Sequence, residues 1–275
     1  MIAWLRIAFA AVVILAVSIV LMPLQLVALR FDWRLRRRLP RVWHRIVCYC
    51  LGIRVRVTGR LEDRRPLMLC SNHSSWLDIM VLSAVADVAF IAKIEVSDWP
   101  IFGTLAKLQK SVFVVREERR KTGHQANEIA GRMADGEIVV LFPEGTTSDG
   151  NRLLEVKSSL FGAAAMAVPY SPTGTVVVQP VAVAYTRVHG IAMGRYHRPL
   201  AAWPGDIELL PHLIDIVRCG AIDAEVSFGE AVDYRAETSR KEVSAIIAMR
   251  IRNLLNSRLR GREISRALPG QIAAI

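Results

Sequence analysis

Residues 70–78 read Cys70-Ser71-Asn72-His73-Ser74-Ser75-Trp76-Leu77-Asp78. The run before them, Pro66-Leu67-Met68-Leu69-Cys70, is short, apolar and opened by proline, which predicts a buried strand. The run after them, 76–85, is apolar and predicts a helix. Asn72, His73, Ser74 and Ser75 therefore fall on a strand-to-helix turn, where a sheet displays reactive groups. With His73 just before the helix and Asp78 in its first turn, the carboxylate can fold back to the imidazole. It would hold one ring nitrogen, fix the tautomer and stabilise the imidazolium, leaving the other nitrogen to take a proton from a hydroxyl. The plainer reading is that the histidine only hydrogen-bonds the turn and that the aspartate complements the helix dipole.

A second stretch favours chemistry. Ile138-Val139-Val140-Leu141-Phe142 predicts another buried strand, and it runs into Pro143-Glu144-Gly145-Thr146-Thr147-Ser148. Polar groups again stand at a strand end, and no turn geometry requires a glutamate after Phe-Pro. The plain alternative is a solvated turn capped by Thr146 or Ser148.

Together the two stretches resemble the glycerolipid acyltransferases, the 1-acyl-glycerol-3-phosphate acyltransferase family. Asn72, His73 and Asp78 match its Asn-His-x-x-x-x-Asp motif. Phe142 to Thr146 with Ser148 match its Phe-Pro-Glu-Gly-Thr-x-Ser motif. Two weaker motifs fall in order, Phe113-Val114-Val115-Arg116 and Val178-Gln179-Pro180-Val181-Ala182, so the resemblance spans about residues 44–230. It implies fatty acyl transfer from a thioester, carried by acyl carrier protein or coenzyme A, to a lipid hydroxyl. His73 would be the base and Asp78 its orienter. A thioester already has a good leaving group, so no nucleophilic side chain, metal or further cofactor is implied. Arg116, Glu144, Gly145 and Thr146 would bind the acceptor head, with Thr147 beside them and Lys157 a weaker addition. Phosphate-acceptor members commonly carry arginine where this chain has Thr147, and losing a guanidinium removes a bidentate phosphate clamp. The run Glu144 to Gly150 is similar to the branch that acylates lyso-ornithine lipid on a 3-hydroxy acyl chain. That acceptor is the expectation and 1-acyl-glycerol-3-phosphate the alternative; Arg152 could compensate for the missing arginine. A thioesterase would not need the glutamate motif. A non-catalytic lipid-binding protein would be expected to lose His73 or Asp78.

Composition agrees with a membrane enzyme. The chain has 275 residues, is 52% hydrophobic and only 7% aromatic, with a mean hydropathy of +0.31. The net charge is +11, and residues 30–65 hold twelve arginines against three acids. A basic cluster beside an apolar run reads as contact with anionic membrane lipids. No nucleic-acid-binding module accompanies it, so nucleic acid is not expected as a partner. Residues 7–29 carry no charge and are long enough to span a bilayer, although Pro23 and Gln25 allow a helix that enters one leaflet and turns back. A signal peptide fits less well, because arginines follow instead of a small-residue cleavage site. The arginine excess after residue 30 places the rest in the cytoplasm, at a bacterial inner membrane. The four cysteines have neither zinc nor disulfide spacing, and Cys70 is expected to face the core.

Strands alternating with helices predict one α/β domain with a largely parallel or mixed sheet flanked by helices, preceded by an N-terminal membrane helix. The expected division is 1–30 membrane segment, 31–60 basic interfacial segment, 61–260 acyltransferase domain and 261–275 tail. Within it Asp98 should cap a helix, Asp206 should start another, and Ser239 with Glu242 should form a capping box.

Overall fold

A computed structural model describes residues 2–114, 119–205, 207–261 and 273–274. The chain opens with α1 (Ile2–Arg30), α2 (Leu35–Leu51) and β1 (Ile53–Thr58). It continues through β2 (Leu67–Ser71), α3 (Leu77–Val85), β3 (Val88–Lys93), α4 (Phe102–Leu108), β4 (Val112–Val114), α5 (Arg119–Ala134) and β5 (Ile138–Leu141). After α6 (Gly162–Ala167) come the long β6 (Val176–Val188), β7 (Ile191–Ala192), α7 (Leu209–Cys219), β8 (Ile222–Phe228), β9 (Val232–Tyr234) and α8 (Arg240–Leu259).

The sheet is mixed, with central order β1-β8-β6-β2-β5-β3-β4. β2 runs parallel to both neighbours, with Cys70 opposite Leu141 of β5 and Pro180 of β6. β8 returns antiparallel to β6. Period-two alternation sorts the side chains between two cores. Leu67, Leu69, Val140, Val183 and Tyr185 point to the face covered by α2, α3 and α7. Met68, Cys70, Val139, Leu141 and Val178 point to the face covered by α5, α6 and α8. Cys70 is fully buried, and burial pushes its thiol far up, which leaves it as core packing.

α1 does not stand away from the domain. It turns at residues 31–34 and runs back along α2: Gln25 donates to the Arg36 carbonyl at 3.0 Å and Trp43 donates to Ser18 Oγ at 2.9 Å. Gln25 also donates to the Leu108 carbonyl at the end of α4. The helix passes through Pro23 unbroken. Its other face shows Leu5, Phe9, Val12, Leu15 and Ile19 to the outside, a stripe at helical spacing. By length and composition α1 is able to cross a bilayer. α2 buries Leu39, Val47, Cys48 and Leu51, so residues 31–60 pack as part of the same body.

Local readings differ at three helix starts. Asp98 closes a 3-10 turn instead of capping α4, because Pro100 holds Trp99 extended and α4 begins beyond it. Ser239 occupies the position before α8, but its hydroxyl makes no capping bond. Asp206 lies outside the described residues, and α7 begins at Leu209. Most of the expected tail, 262–272 and 275, also lies outside them; residues 273–274 pair with β1.

The buried ion pair Arg36–Glu137, 2.6 Å apart, fastens α2 to the start of β5. Removing one partner of a buried pair leaves an uncompensated charge and typically costs ~3–5 kcal/mol. Asp32 still contacts Arg36 at 2.6 Å from an exposed position, which favours the lower end of that range. Glu137→Ala is therefore expected to lower the melting temperature by about 10 °C, measured in detergent against the exposed control Asp63→Ala. Equal melting of the two variants would show that this pair does not fasten the sheet.

Candidate active site

The parallel pairing of β2 with β5 brings both strand ends side by side, so the His73 turn and the Glu144 turn meet. Asn72 extends the sheet beyond β2. Its amide donates to the Val183 carbonyl at 2.9 Å and accepts from the Val183 N–H at 2.8 Å. That double bond to β6 fixes where His73 leaves the sheet.

His73 Nδ1 lies 2.9 Å from Asp78 Oδ2. The same oxygen accepts the backbone N–H groups of Ser74 and Ser75, at 2.6 and 2.9 Å. Oδ1 accepts the Tyr185 hydroxyl at 2.7 Å. Asp78 is fully buried. Its other close neighbours are all donors, so His73 Nδ1 is also read as carrying its proton. Nε2 is then the nitrogen with a free lone pair, and it has no partner among the described residues. The imidazole lies on Phe142, with ring centroids 3.9 Å apart and planes 15° apart, and Phe142 stacks in turn on Phe90. The ring is thus held on one flat face and one edge while 18% of the side chain remains exposed.

Glu144 turns inward. One carboxylate oxygen accepts the His73 N–H and the other the Leu154 N–H, both at 2.6 Å. Expected to contact the acceptor, it is instead 1% exposed and engaged by the scaffold. Burial pushes its carboxyl up to about 7, against the lowering effect of the two N–H donors. Gly145 follows at φ +73°, in the left-handed region that a side chain disfavours. The Ser148 N–H donates to the His73 carbonyl at 2.9 Å, and the Lys157 N–H to the Pro143 carbonyl at 2.9 Å. Both turns are therefore stitched together through backbone groups. Of the other residues the resemblance named, Thr146 and Lys157 are exposed and Thr147 is half-buried. Arg116 lies outside the described residues. Ser75 Oγ accepts the Leu77 N–H, as befits a turn residue.

Three residues outside the motif reading support this arrangement. Tyr185 sits on β6, on the face that meets α3, and its inward register was legible from the alternation with Val181 and Val183. Arg198 is buried under the 149–151 turn, bonded to Asn151 and to the Met193 carbonyl. His212 accepts the Trp76 indole N–H at 2.9 Å and braces the start of α3. No spacing rule links these two to the motifs.

The comparisons with known proteins agree with the geometry. A family model described as Acyltransferase matches residues 53–184. A lyso-ornithine lipid O-acyltransferase of Rhizobium meliloti (strain 1021) is 62% identical over 97% of this chain and 91% of its own length. The chain belongs to the acyltransferase family. A second relative of that name, from Brucella abortus (strain 2308), is 54% identical over 97% of this chain and 100% of its own. Among solved structures, the 1-acyl-sn-glycerophosphate acyltransferase PlsC of Thermotoga maritima shares the fold. Its TM-score is 0.62 at 22% identity, covering 95% of this chain and 96% of that one.

Tyr185→Phe removes from the acyltransferase the short bond to Asp78 Oδ1, leaving there only Ser74 Oγ at 3.5 Å. A bond to a charged group is worth ~1.5–3 kcal/mol, so kcat should fall roughly tenfold or more while KM for the acyl thioester holds. Steady-state kinetics on the detergent-solubilised variant checks this, and an unchanged kcat would remove Tyr185 from the positioning set.

Glu144 also gives a pH signature. Its folded value of about 7 lies above the ordinary 4.5, so the native state binds the extra proton between those values. Stability from this group is therefore full below about pH 4.5, falls as pH rises to about 7, and is flat above. The total change is up to about 3 kcal/mol. Glu144→Gln should lack that slope, read as the difference in melting temperature from wild type across pH 5 to 8. Parallel curves would show that Glu144 does not titrate in this window.

Proposed function

We propose that this acyltransferase moves a fatty acyl chain from an acyl thioester to the free hydroxyl of lyso-ornithine lipid, giving ornithine lipid. The observation that carries the mechanism is the division of the His73 ring: Nδ1 meets the buried Asp78 carboxylate, while Nε2 has no partner among the described residues and the side chain stays partly exposed. Nε2 takes the proton of the attacking hydroxyl as its oxygen adds to the thioester carbonyl. The tetrahedral intermediate collapses with cleavage of the C–S bond, and the imidazolium returns the proton to the leaving thiolate. Asp78 holds the tautomer and offsets the transient positive charge. No side-chain nucleophile is needed, and the buried Cys70 thiol does not serve as one.

The acceptor rests on the names of the two full-length relatives and on Thr147. A phosphorylated acceptor would want a guanidinium there, whereas the zwitterionic head of an ornithine lipid does not. Thr146, Thr147, Lys157 and Arg116 are assigned to the acceptor head on the strength of the motif, and Glu144 and Gly145 to shaping the turn that presents them. The donor is an acyl carrier protein or coenzyme A thioester. The catalytic unit expected at 61–260 takes in the 31–60 segment as well, since β1 is a strand of the same sheet, and the 1–30 segment holds that body at a bacterial inner membrane, catalytic side in the cytoplasm. The apolar outer stripe of α1 and the arginine excess after residue 30 support attachment to an anionic membrane surface.

The test supplies labelled acyl thioester with lyso-ornithine lipid or 1-acyl-glycerol-3-phosphate to isolated membranes, with His73→Ala membranes as the blank. The proposal expects product from lyso-ornithine lipid only, with loss of at least about a hundredfold in His73→Ala. Product mainly from the phosphate acceptor would keep the mechanism and overturn the acceptor. Turnover in His73→Ala near that of wild type would sink the mechanism.

A further inference from the structure

A cavity of about 350 Å³ lies where α1, α2 and β1 meet, and its walls include Arg6, Arg45 and Arg54. No carboxylate lines it. The contrast with the cavity near Arg36 is instructive. There Arg36 and Arg37 lie 2.6 and 3.7 Å from Glu137, so the cations are compensated within the protein. Arg6 and Arg54 have no acidic partner among the described residues. Arg45 spends Nε on the Ala84 carbonyl at 2.9 Å, and its two terminal nitrogens have no partner among the described residues. Cys48 adds no negative charge, because burial pushes its thiol up to about 12.

The site is built, not merely basic. The Arg6 guanidinium lies against the backbone of Gly52 and Gly220, where a Cβ on either glycine would collide or crowd. Both glycines have positive φ, +74° and +56°, so the close approach and the backbone conformation exclude side chains together. Arginines from α1, α2 and β1 line one concavity that no carboxylate lines, which is an arrangement suited to an oxyanion.

We infer that this cavity holds the phosphate of an anionic phospholipid headgroup. The choice of a lipid over a free ion comes from its depth. Arg6 stands at the polar end of the uncharged run 7–29, two residues from Trp4, which packs under Arg218 at 4.8 Å. Trp and Arg at the end of an apolar helix mark headgroup level. Ala84, which lines the cavity, belongs to the last turn of α3, the helix whose first turn carries Asp78. A lipid held here therefore bears on the helix that seats the catalytic pair.

The experiment titrates the full chain, in zwitterionic detergent, with dihexanoyl phosphatidylglycerol or dihexanoyl phosphatidylcholine and counts bound lipid by native mass spectrometry. One equivalent of the anionic lipid should bind, at least tenfold tighter than the zwitterionic one. Arg54→Gln, an exposed change that leaves the fold alone, should weaken it about fivefold, and Arg45→Gln with Arg54→Gln about thirtyfold. Arg34→Gln with Arg38→Gln, the same loss of charge at exposed positions outside the cavity, should leave it unchanged. Equal weakening in that control, or none in Arg54→Gln, would show diffuse attraction and overturn the site. Inorganic phosphate displacing the lipid at equal concentration would assign the cavity to a free ion and overturn the lipid assignment.

Discussion

Parallel pairing of β2 with β5 is the constraint on which the catalytic geometry depends. Cys70 opposite Leu141 puts two strand ends level, so two loops of unrelated sequence start side by side. Neither loop holds its shape alone. The His73 N–H needs an acceptor, and Glu144 supplies it; the Leu154 N–H needs one, and the same carboxylate supplies that too. A slip of one residue in register would turn Glu144 from the His73 turn to the opposite face. The glutamate therefore reports on sheet register as much as on chemistry.

Most of this was legible because the strands are short, apolar and bounded by turn signals, and because the His-Asp spacing fits one strand-to-helix turn. The sequence reading was less complete where a partner comes from far along the chain. Asp78 takes a hydroxyl from Tyr185, 107 positions away. Alternation shows which face Tyr185 occupies, but only the β6–β2 register shows that α3 lies under it. Glu144 was legible as a motif residue but not as an inward one, since no local pattern reveals that both its oxygens meet backbone N–H groups. The helix starts at Asp98 and Ser239 failed for a different reason. A capping residue is a preference, and Pro100 or a turned hydroxyl overrides it.

The N-terminal segment shows how one helix serves two solvents. α1 is apolar over most of its surface, yet Gln25 is buried and spends its amide on two carbonyls, Arg36 and Leu108. A polar group in an apolar helix is costly unless paired, so Gln25 identifies the protein-facing side, and the stripe through Phe9, Val12 and Ile19 identifies the other. The arginines divide in the same way. Arg36 is neutralised by Asp32 and Glu137 and acts as structure, whereas Arg6 and Arg54 meet no carboxylate among the described residues. A folded chain leaves buried or cornered cations uncompensated only where solvent or a ligand supplies the charge.

The proposed chemistry asks for no more than the dyad. A serine nucleophile would need a base, an oxyanion site and a second half-reaction to release the acyl group. A thioester needs only a hydroxyl made nucleophilic at the moment of attack, and it leaves as a thiolate that takes the proton back. What the protein must then supply is placement. Phe142 under the ring, Asp78 at Nδ1 and four donors around Asp78 leave His73 little freedom, and the energy of that ordering is stored in folding instead of being drawn from substrate binding. Thr146 and Lys157 are exposed beside the turn that Glu144 anchors. In the proposed mechanism the head group would be met at the loop surface, by Thr146, Thr147 and Lys157, while the buried Asp78 and Glu144 carboxylates hold the His73 turn from behind.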